Sequence, residues 1–484
     1  MSDRRFGAGS AARGAKATLL GQWLKFAVQL TATVILARLL APSEFGLFSM
    51  IIAFAGLATL LGDFGLSSAA MQAKSLSDQQ RSNLFWMNTG IGVLCTVLAF
   101  LCAPLIAGFY GQPRLTAAVQ TLAPTFVLQA AISQLTANAA RSLRFKLLAQ
   151  VDVTAQLVGF STALVLATAG AGVTALVAQQ LAIALWTLLI LSVAGRWVPK
   201  LPRRAEMKSL VGFGVNSFLV QLLTYVSSNV DSVLLGRFWG PVPLGLYDRA
   251  YQLYRMPIQQ IATPLTRVVL PMLSRRQDER AWVSEKLVQI QRIVAYVVGG
   301  VFVVLGSMAW SVVGVLLGAN WLESAPVLAI LALGGVFQSI GYVYYWAFLI
   351  TNQTGVQLRA SIITRSLMVI FIAGGVVFGP IGVAVGVTAG LISNWLILSR
   401  WPMRTTGLNV RHLVMAVIRP ITIHLLVNLP VALVGAIYVD QLPSLSLLGL
   451  QVGIVIVLYG VVFFSYKSFR EDLIAIRIIL RKAL

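Results

Sequence analysis

Fourteen apolar stretches separated by short polar connections dominate this chain, and no other feature limits its fold so strongly. They run roughly over 16–37, 45–71, 83–108, 115–138, 147–168, 172–194, 209–236, 244–273, 287–317, 324–350, 358–378, 380–399, 413–438 and 444–466. A helix crosses a bilayer with about 20 apolar residues, so each stretch is long enough, and the longer ones must tilt or project. A soluble core is not a workable alternative. The 484 residues are 58% hydrophobic and 11% charged, against about half apolar and a quarter charged for soluble domains. The sequence predicts an all-α polytopic membrane protein with about fourteen transmembrane helices.

The net charge of +22 does not point to nucleic acid, because the basic residues lie in short clusters between apolar stretches, as in loops facing the cytoplasm. With a cytoplasmic N-terminus, every even-to-odd connection is inside. These segments hold 27 of the 37 Lys and Arg residues: Arg4, Arg5, Arg13 and Lys16 before the first span, five between 196 and 208, and Lys467, Arg470, Arg477, Arg481 and Lys482 at the end. The outside connections hold only Arg38, Arg114, Arg237 and Arg249. This alternation predicts both termini in the cytoplasm. The first span lacks a persuasive cleavage site and reads as a retained helix. Cys95 and Cys102 are seven apart on one predicted helix and too distant to bridge each other. His412 and His424 are the two histidines, and without a Cys/His cluster a zinc site is not expected. P-loop, GxSxG and metalloprotease motifs are absent.

"ARLLAPSEFGLFSM" (37–50) is echoed by "GRFWGPVPLGLYDRA" (236–250): Arg38, Pro42, Gly46 and Leu47 fall on Arg237, Pro241, Gly245 and Leu246 at a constant offset of 199. Six spans separate the copies, and six is even, so both copies face the same side. The pattern predicts two parallel six-helix lobes, 1–194 and 209–400, followed by two additional helices over 401–466. "GAGVTALVAQ" and "GPIGVAVGVT", before spans 6 and 12, are a weaker second echo. Parallel halves suit a transporter that rocks one bundle against the other. Ordinary loop punctuation by Pro and Gly is the competing explanation. The segment 195–208, "GRWVPKLPRRAEMK", is the linker between lobes and suits a mobile hinge, as it would any cytoplasmic loop. The tail 467–484 interleaves charge with Leu473, Ile474, Ile476, Ile478 and Ile479. It reads either as an amphipathic helix in the inner interface or as a solvated tail.

With "ARLLAPSEFGLFSM" in the first connection and "FGLSSAAMQ" closing span 2, the chain resembles bacterial polysaccharide flippases. These are the O-antigen and exopolysaccharide-unit exporters of the multidrug/oligosaccharidyl-lipid/polysaccharide superfamily. The resemblance covers most of the chain and is strongest over 10–90 and 205–275. It implies a V-shaped pair of lobes around a central cavity lined largely by spans 1, 2, 7 and 8. It also implies movement of an undecaprenyl-diphosphate-linked oligosaccharide from the inner to the outer leaflet of the bacterial cytoplasmic membrane. Membrane lipids are the surroundings, and glycosyltransferases and a polysaccharide polymerase are the expected pathway partners.

A charge at mid-membrane costs several kcal/mol and is a functional candidate by default. Lys25 and Arg255 sit about 14–17 Å deep at ~1.5 Å per residue. A lipid diphosphate is strongly anionic, and Lys offers it a point charge where Arg offers a bidentate fork. Both are candidate substrate contacts, with Arg365 as a third; pairing with a buried carboxylate is the alternative. Arg292, Arg419 and Arg267 lie near enough to the inner side to snorkel. Asp63 and Asp231 are candidates for gating or for H+ or Na+ coupling, again with structural ion pairing as the alternative, and Asp152 reads as interfacial. Arg38 and Arg237 are gating candidates by their repeat positions. Tyr247, Tyr251 and Tyr254 share a helical face beside Arg255, so Tyr251 and Tyr254 are candidate sugar contacts or packing residues. Asn216, Gln221 and Asn229 are expected to face an interior, and "YVYYWAF" (342–348) to pack against helices and lipid. Two alternatives within the superfamily are a peptidoglycan-precursor flippase and a small-molecule multidrug exporter. A drug exporter for cations would favour buried acids, whereas the deep candidates here are basic. A membrane glycosyltransferase would need a large outer loop, and every outer connection is short. No enzymatic activity and no resident cofactor are expected.

Overall fold

The computed structural model describes residues 8–73, 76–195 and 197–483. Among them there is helix and no strand, and ten helical segments are long and apolar enough to cross a membrane. Each of the fourteen apolar stretches is built mainly of helix. The chain divides into two compact units, 1–245 and 246–484.

The first unit contains α1 (Ala8–Leu39), α2 (Pro42–Asp63), α3 (Leu66–Gln72), α4 (Asp78–Tyr110), α5 (Arg114–Leu122), α6 (Pro124–Arg141), α7 (Phe145–Thr168), α8 (Val173–Ala194) and α9 (Lys208–Trp239). Local chemistry sets the ends. Pro42 starts α2, where its missing N–H costs nothing. Ser77 and Gln80 form a capping box for α4, and Gly111 at φ 65° ends it. The expected second span is not one helix. Phe64 (φ 44°) and Gly65 (φ 67°) are both left-handed, so the chain breaks between α2 and α3. Two successive residues of this kind cannot continue a right-handed helix.

The repeated motif closes on itself within this unit. An ideal Cβ on Gly46 would lie 1.7 Å from the carbonyl oxygen of Pro241, and one on Gly245 would lie 2.0 Å from that of Pro42. Each glycine therefore abuts the proline that starts the other copy, a reciprocal contact with the pairing rule of a two-fold axis. α9 also packs on α2 lower down, where the Tyr225 hydroxyl reaches the carbonyls of Ile52 (3.1 Å) and Ala53 (2.9 Å). Glu44, in the first turn of α2, accepts both Arg114 guanidinium nitrogens at 3.0 and 3.1 Å. It also accepts the Val173 N–H at 2.6 Å, at the start of α8. One carboxylate thus ties three helix starts together through charge-assisted bonds.

The linker is strapped down rather than free. Gln79, Gln80, Asn83 and Trp86 of α4 donate to the carbonyls of Leu201, Glu206, Arg203 and Lys200. In return, the N–H groups of Lys200 and Arg203 donate to Ser82 and Asn83. Trp197 packs on Phe85, with the Arg81 guanidinium over its ring. These ties to α4 make the segment a poor hinge.

The second unit holds the body of α10 (Pro241–Pro257) and then α11 (Thr263–Ser274), α12 (Arg280–Val294), α13 (Gly300–Ser307), α14 (Ala309–Leu316), α15 (Ser324–Ile350), α16 (Thr354–Gly375), α17 (Gly379–Leu398), α18 (Trp401–Arg404), α19 (Val410–Tyr438), α20 (Ser444–Ser465) and α21 (Lys467–Ala483). α15 is its core: Tyr344, Trp346 and Phe348 are fully buried, and Trp346 donates to Thr266 at 3.0 Å. Only Tyr345 of the "YVYYWAF" run is substantially exposed. π-helical turns at 258–262 and 295–299 interrupt two of the spans.

The tail is a docked helix. Asp472, 6% exposed, receives Arg292 and Arg419 at 3.0 Å each and the Tyr296 hydroxyl at 2.9 Å, while Phe469 and Ile476 join Tyr296, Ile423 and Val427 in an apolar cluster. The expectation that Arg292 and Arg419 merely snorkel is therefore corrected: both are engaged by one carboxylate from the tail.

Gly46→Ala and Gly245→Ala are each expected to lower stability by about 1–3 kcal/mol or more through overpacking against backbone. Gly90→Ala, in the interior of α4 with nothing near its would-be Cβ, should gain up to about 1 kcal/mol. Thermal unfolding of the detergent-solubilised variants measures both signs.

Candidate functional site

The deep charges differ in what neutralises them. Lys25 has an acidic partner: its Nζ lies 3.3 Å from Asp152, with the two side chains 36% and 56% exposed. One turn before Lys25, Gly21 rests against Ala149 of α7. Close backbone approach and an ion pair thus fasten α1 to α7. Asp152, expected simply at the interface, is the partner in that pair.

Asp63 sits at the break between α2 and α3 and forms no ion pair among the described residues. Ser67 donates to its Oδ2 at 2.8 Å and Ser133 to its Oδ1 at 2.7 Å. Asn88, fully buried, donates to Ser133 at 3.0 Å and approaches Asp63 at 3.5 Å. The Asn88 Oδ1 is a buried acceptor with no hydrogen-bond partner among the described residues. Four oxygen-bearing side chains thus converge on one helix break, the kind of site where discontinuous membrane helices hold small cations. Asp63 was identifiable from its position in an apolar stretch; neither the break nor the serines around it had any sequence signal.

Asp231 is buried, and its carboxylate accepts the N–H of Ser232 at 2.8 Å. Arg38 and Arg237 are exposed in the last turns of α1 and α9, where a cation complements the helix dipole. Arg237 also lies over the Phe109 ring at 5.8 Å. Asn229 bonds back to the carbonyl of Tyr225 in its own helix at 2.8 Å. The side chains of Asn216 and Arg267 lie outside the described residues.

In the second unit the tyrosine face of α10 divides. Tyr247 and Tyr254 are buried, and Tyr254 donates to Gln338, with its ring against Phe302. These two rings therefore serve packing. Tyr251 is half-buried and stacked on Tyr247 at 5.7 Å, and the Arg255 guanidinium lies 5.7 Å from its ring centre. Arg255 is exposed, and among the described residues no carboxylate forms an ion pair with it. An aromatic face holds the guanidinium in place and leaves its N–H fork available. Arg365 is also exposed, but shares its face of α16 with the exposed Leu358 and Ile362.

This is an all-helical, multi-pass membrane fold with ionisable groups inside its apolar helices. Residues 35–326 match the family described as polysaccharide biosynthesis protein, and the chain belongs to that family. It is similar to the teichuronic acid biosynthesis protein TuaB of Bacillus subtilis strain 168, with 25% identity over 74% of this chain and 77% of that protein. It is also similar to the lipopolysaccharide biosynthesis protein WzxC of Escherichia coli strain K12, with 24% identity over 78% and 77%. Among solved structures, the lipid II flippase MurJ in an inward closed conformation superposes with a TM-score of 0.73 at 15% identity, covering 96% of this chain and all of that one. An inward-facing multidrug resistance MATE family transporter superposes at 0.60 with 16% identity, over 79% and 94%. These likenesses establish the shared fold.

If the Lys25–Asp152 pair is a clasp, Lys25→Ala and Asp152→Ala should each lower the melting temperature by a few degrees. The swapped double variant Lys25→Asp/Asp152→Lys should recover most of the loss. A double-mutant cycle by thermal shift reads the coupling.

Proposed function

We propose that the protein translocates an undecaprenyl-diphosphate-linked oligosaccharide from the inner to the outer leaflet of the bacterial cytoplasmic membrane by alternating access, for polysaccharide biosynthesis, with both termini in the cytoplasm. The observation that carries this is Arg255: a guanidinium inside a span, braced on Tyr251, with no carboxylate among the described residues to neutralise it. An uncompensated cation at that depth is costly, and the cost is offset when an anion arrives. A diphosphate supplies that anion in the bidentate geometry a guanidinium fits. Membership in the polysaccharide biosynthesis family and similarity to TuaB and WzxC support a glycan cargo.

The residues then divide by role. Arg255 binds the diphosphate, and the half-buried ring of Tyr251 both orients it and offers a flat face to a sugar. Tyr254 holds α10 to α15 through Gln338 and is a positioning residue. Lys25 serves the α1–α7 clasp. Arg365, among exposed aliphatic side chains, suits contact with the membrane and is left outside the binding set. Asp63 in its hydroxyl-lined niche is the coupling group, taking up H+ or Na+, and the α2–α3 break gives that end of the helix freedom to respond. Asp231, Arg38 and Arg237 act as gating elements around the two copies of the repeat. Glycosyltransferases upstream and a polymerase downstream would supply and consume the cargo.

Arg255→Ala should cut translocation about ten- to a hundred-fold, the worth of one or two charge-assisted hydrogen bonds. Arg255→Lys should restore only part, since a point charge lacks the fork. The measurement is mass spectrometry of lipid-linked glycan accumulating in cells at matched protein levels. Undiminished export by Arg255→Ala would end this assignment, and accumulation of a peptidoglycan precursor in place of a polysaccharide unit would name a different cargo.

A further inference from the structure

The spans added after the two expected lobes contain a polar network that the transport reading does not use. His424 is 5% exposed near the middle of α19, between Pro420 and Pro430. Its Nε2 lies 3.1 Å from the main-chain oxygen of Tyr296. Tyr296 belongs to the π-helical turn 295–299, where the usual helix ladder is re-registered. A carbonyl oxygen can only accept, so Nε2 carries the hydrogen. Nδ1 therefore holds a lone pair, and the Tyr459 hydroxyl of α20 donates to it. Asn428, one turn on, donates to the Tyr459 oxygen at 3.1 Å and to the His424 carbonyl at 2.9 Å, and accepts from Ser307 at 3.1 Å. Both bonds at the imidazole thus have fixed directions, and Nδ1 is the ring atom that can take up a proton.

Adding it reverses the bond to Tyr459. The phenol oxygen would then face donors from both His424 and Asn428, and its own hydrogen would need a new acceptor. Two cavities of about 470 and 460 Å3 flank the pair. Apart from the three ring residues themselves, their walls are apolar: Val297, Phe463, Leu473 and Ile476 on one side, Val301, Val304, Leu305 and Met308 on the other. No side-chain acceptor awaits the phenol hydrogen among these lining residues, so protonation leaves it unsatisfied and weakens the tie between α20 and α19. The room to move is already present. Leu473 and Ile476 come from the docked α21, whose Asp472 is held by Arg292 of α12, Arg419 of α19 and the hydroxyl of Tyr296. Tyr296 thus touches His424 through its main chain and Asp472 through its side chain. The ionisable groups facing this region are Tyr296 and Arg292 from α12 and its π turn, Tyr459 from α20, Asp472 from α21 and Arg419 on α19 itself. α13 contributes only Gly300, which leaves space for the imidazole, and Ser307.

We propose that His424 is a proton-binding site whose occupancy controls the docking of the C-terminal helix, with the neutral imidazole holding α19, α20 and α21 together and the protonated form releasing them. This site is separate from Arg255 and Asp63 and does not depend on the identity of the cargo.

The chain has two histidines, so His412→Asn leaves His424 as the sole imidazole. In full-length, 15N-histidine-labelled His412→Asn protein in lipid nanodiscs, NMR should show the Nε2–H form at neutral pH and uptake of one proton on acidification. Deuterium exchange over 467–483 should rise with the same midpoint. Tyr459→Phe removes the partner of Nδ1 and should shift that midpoint by roughly one pH unit. In His424→Gln the acid-dependent rise in tail exchange should vanish relative to the parent at matched pH. An imidazole that stays neutral throughout the pH range in which the fold persists would overturn the proposal. So would tail exchange that follows pH identically in parent and His424→Gln. If His424→Gln does not fold, an unmoved midpoint in Tyr459→Phe overturns it equally.

Discussion

The reciprocal contact between Gly46 and Pro241, and between Gly245 and Pro42, is the constraint on which the first unit depends. Inside a bilayer, helices gain little from apolar burial, because lipid is as apolar as leucine; what draws them together is close backbone packing and polar contact. Two helix starts that press main chain on main chain supply the first. Glu44, Arg114 and the N-terminus of α8 supply the second on the same helix start. The repeated Pro-x3-Gly spacing is therefore explained by packing: the proline sets where each helix begins, and the glycine one turn later clears the way for the other copy's proline carbonyl.

Acidic residues are scarce in this chain, 15 against 37 basic ones, and several are committed to single structural tasks. Asp152 fastens α1, Glu44 gathers three helix starts, and Asp472 gathers α12, α19 and the tail. At the buried Asp472, removing one partner costs more than the pair itself contributes, because the survivor is left uncompensated. Against that background the exceptions stand out. Asp63 is held by neutral donors, and Arg255 by an aromatic ring. Under the proposed function, these are the groups that would exchange partners during a transport cycle.

Hydropathy made the helices legible, since a twenty-residue average tolerates local error. It could not show the break after Asp63, which depends on two backbone dihedrals, one of them at a phenylalanine that rarely adopts that conformation. Nor could it pair charges far apart in the chain: Arg292 and Arg419 each looked able to snorkel, and only the fold brings Asp472 to both. The tyrosine face of α10 was visible as a spacing, but the burial of Tyr254 depends on Gln338 and Phe302, both far along the chain. The constant offset between the two motif copies was readable in the sequence, while the mutual fit of their glycines was not.

The ties between α4 and the segment 200–206 have a consequence for proteolysis. That stretch is rich in Lys and Arg with exposed side chains, and on composition alone it would be an obvious target for a trypsin-like enzyme. Cleavage, however, requires the main chain to detach and lie extended in the protease cleft. Here the carbonyls and amides on both sides of the basic residues are already engaged by asparagine, glutamine, serine and tryptophan. Composition that advertises a cutting site thus coexists with a backbone held out of reach.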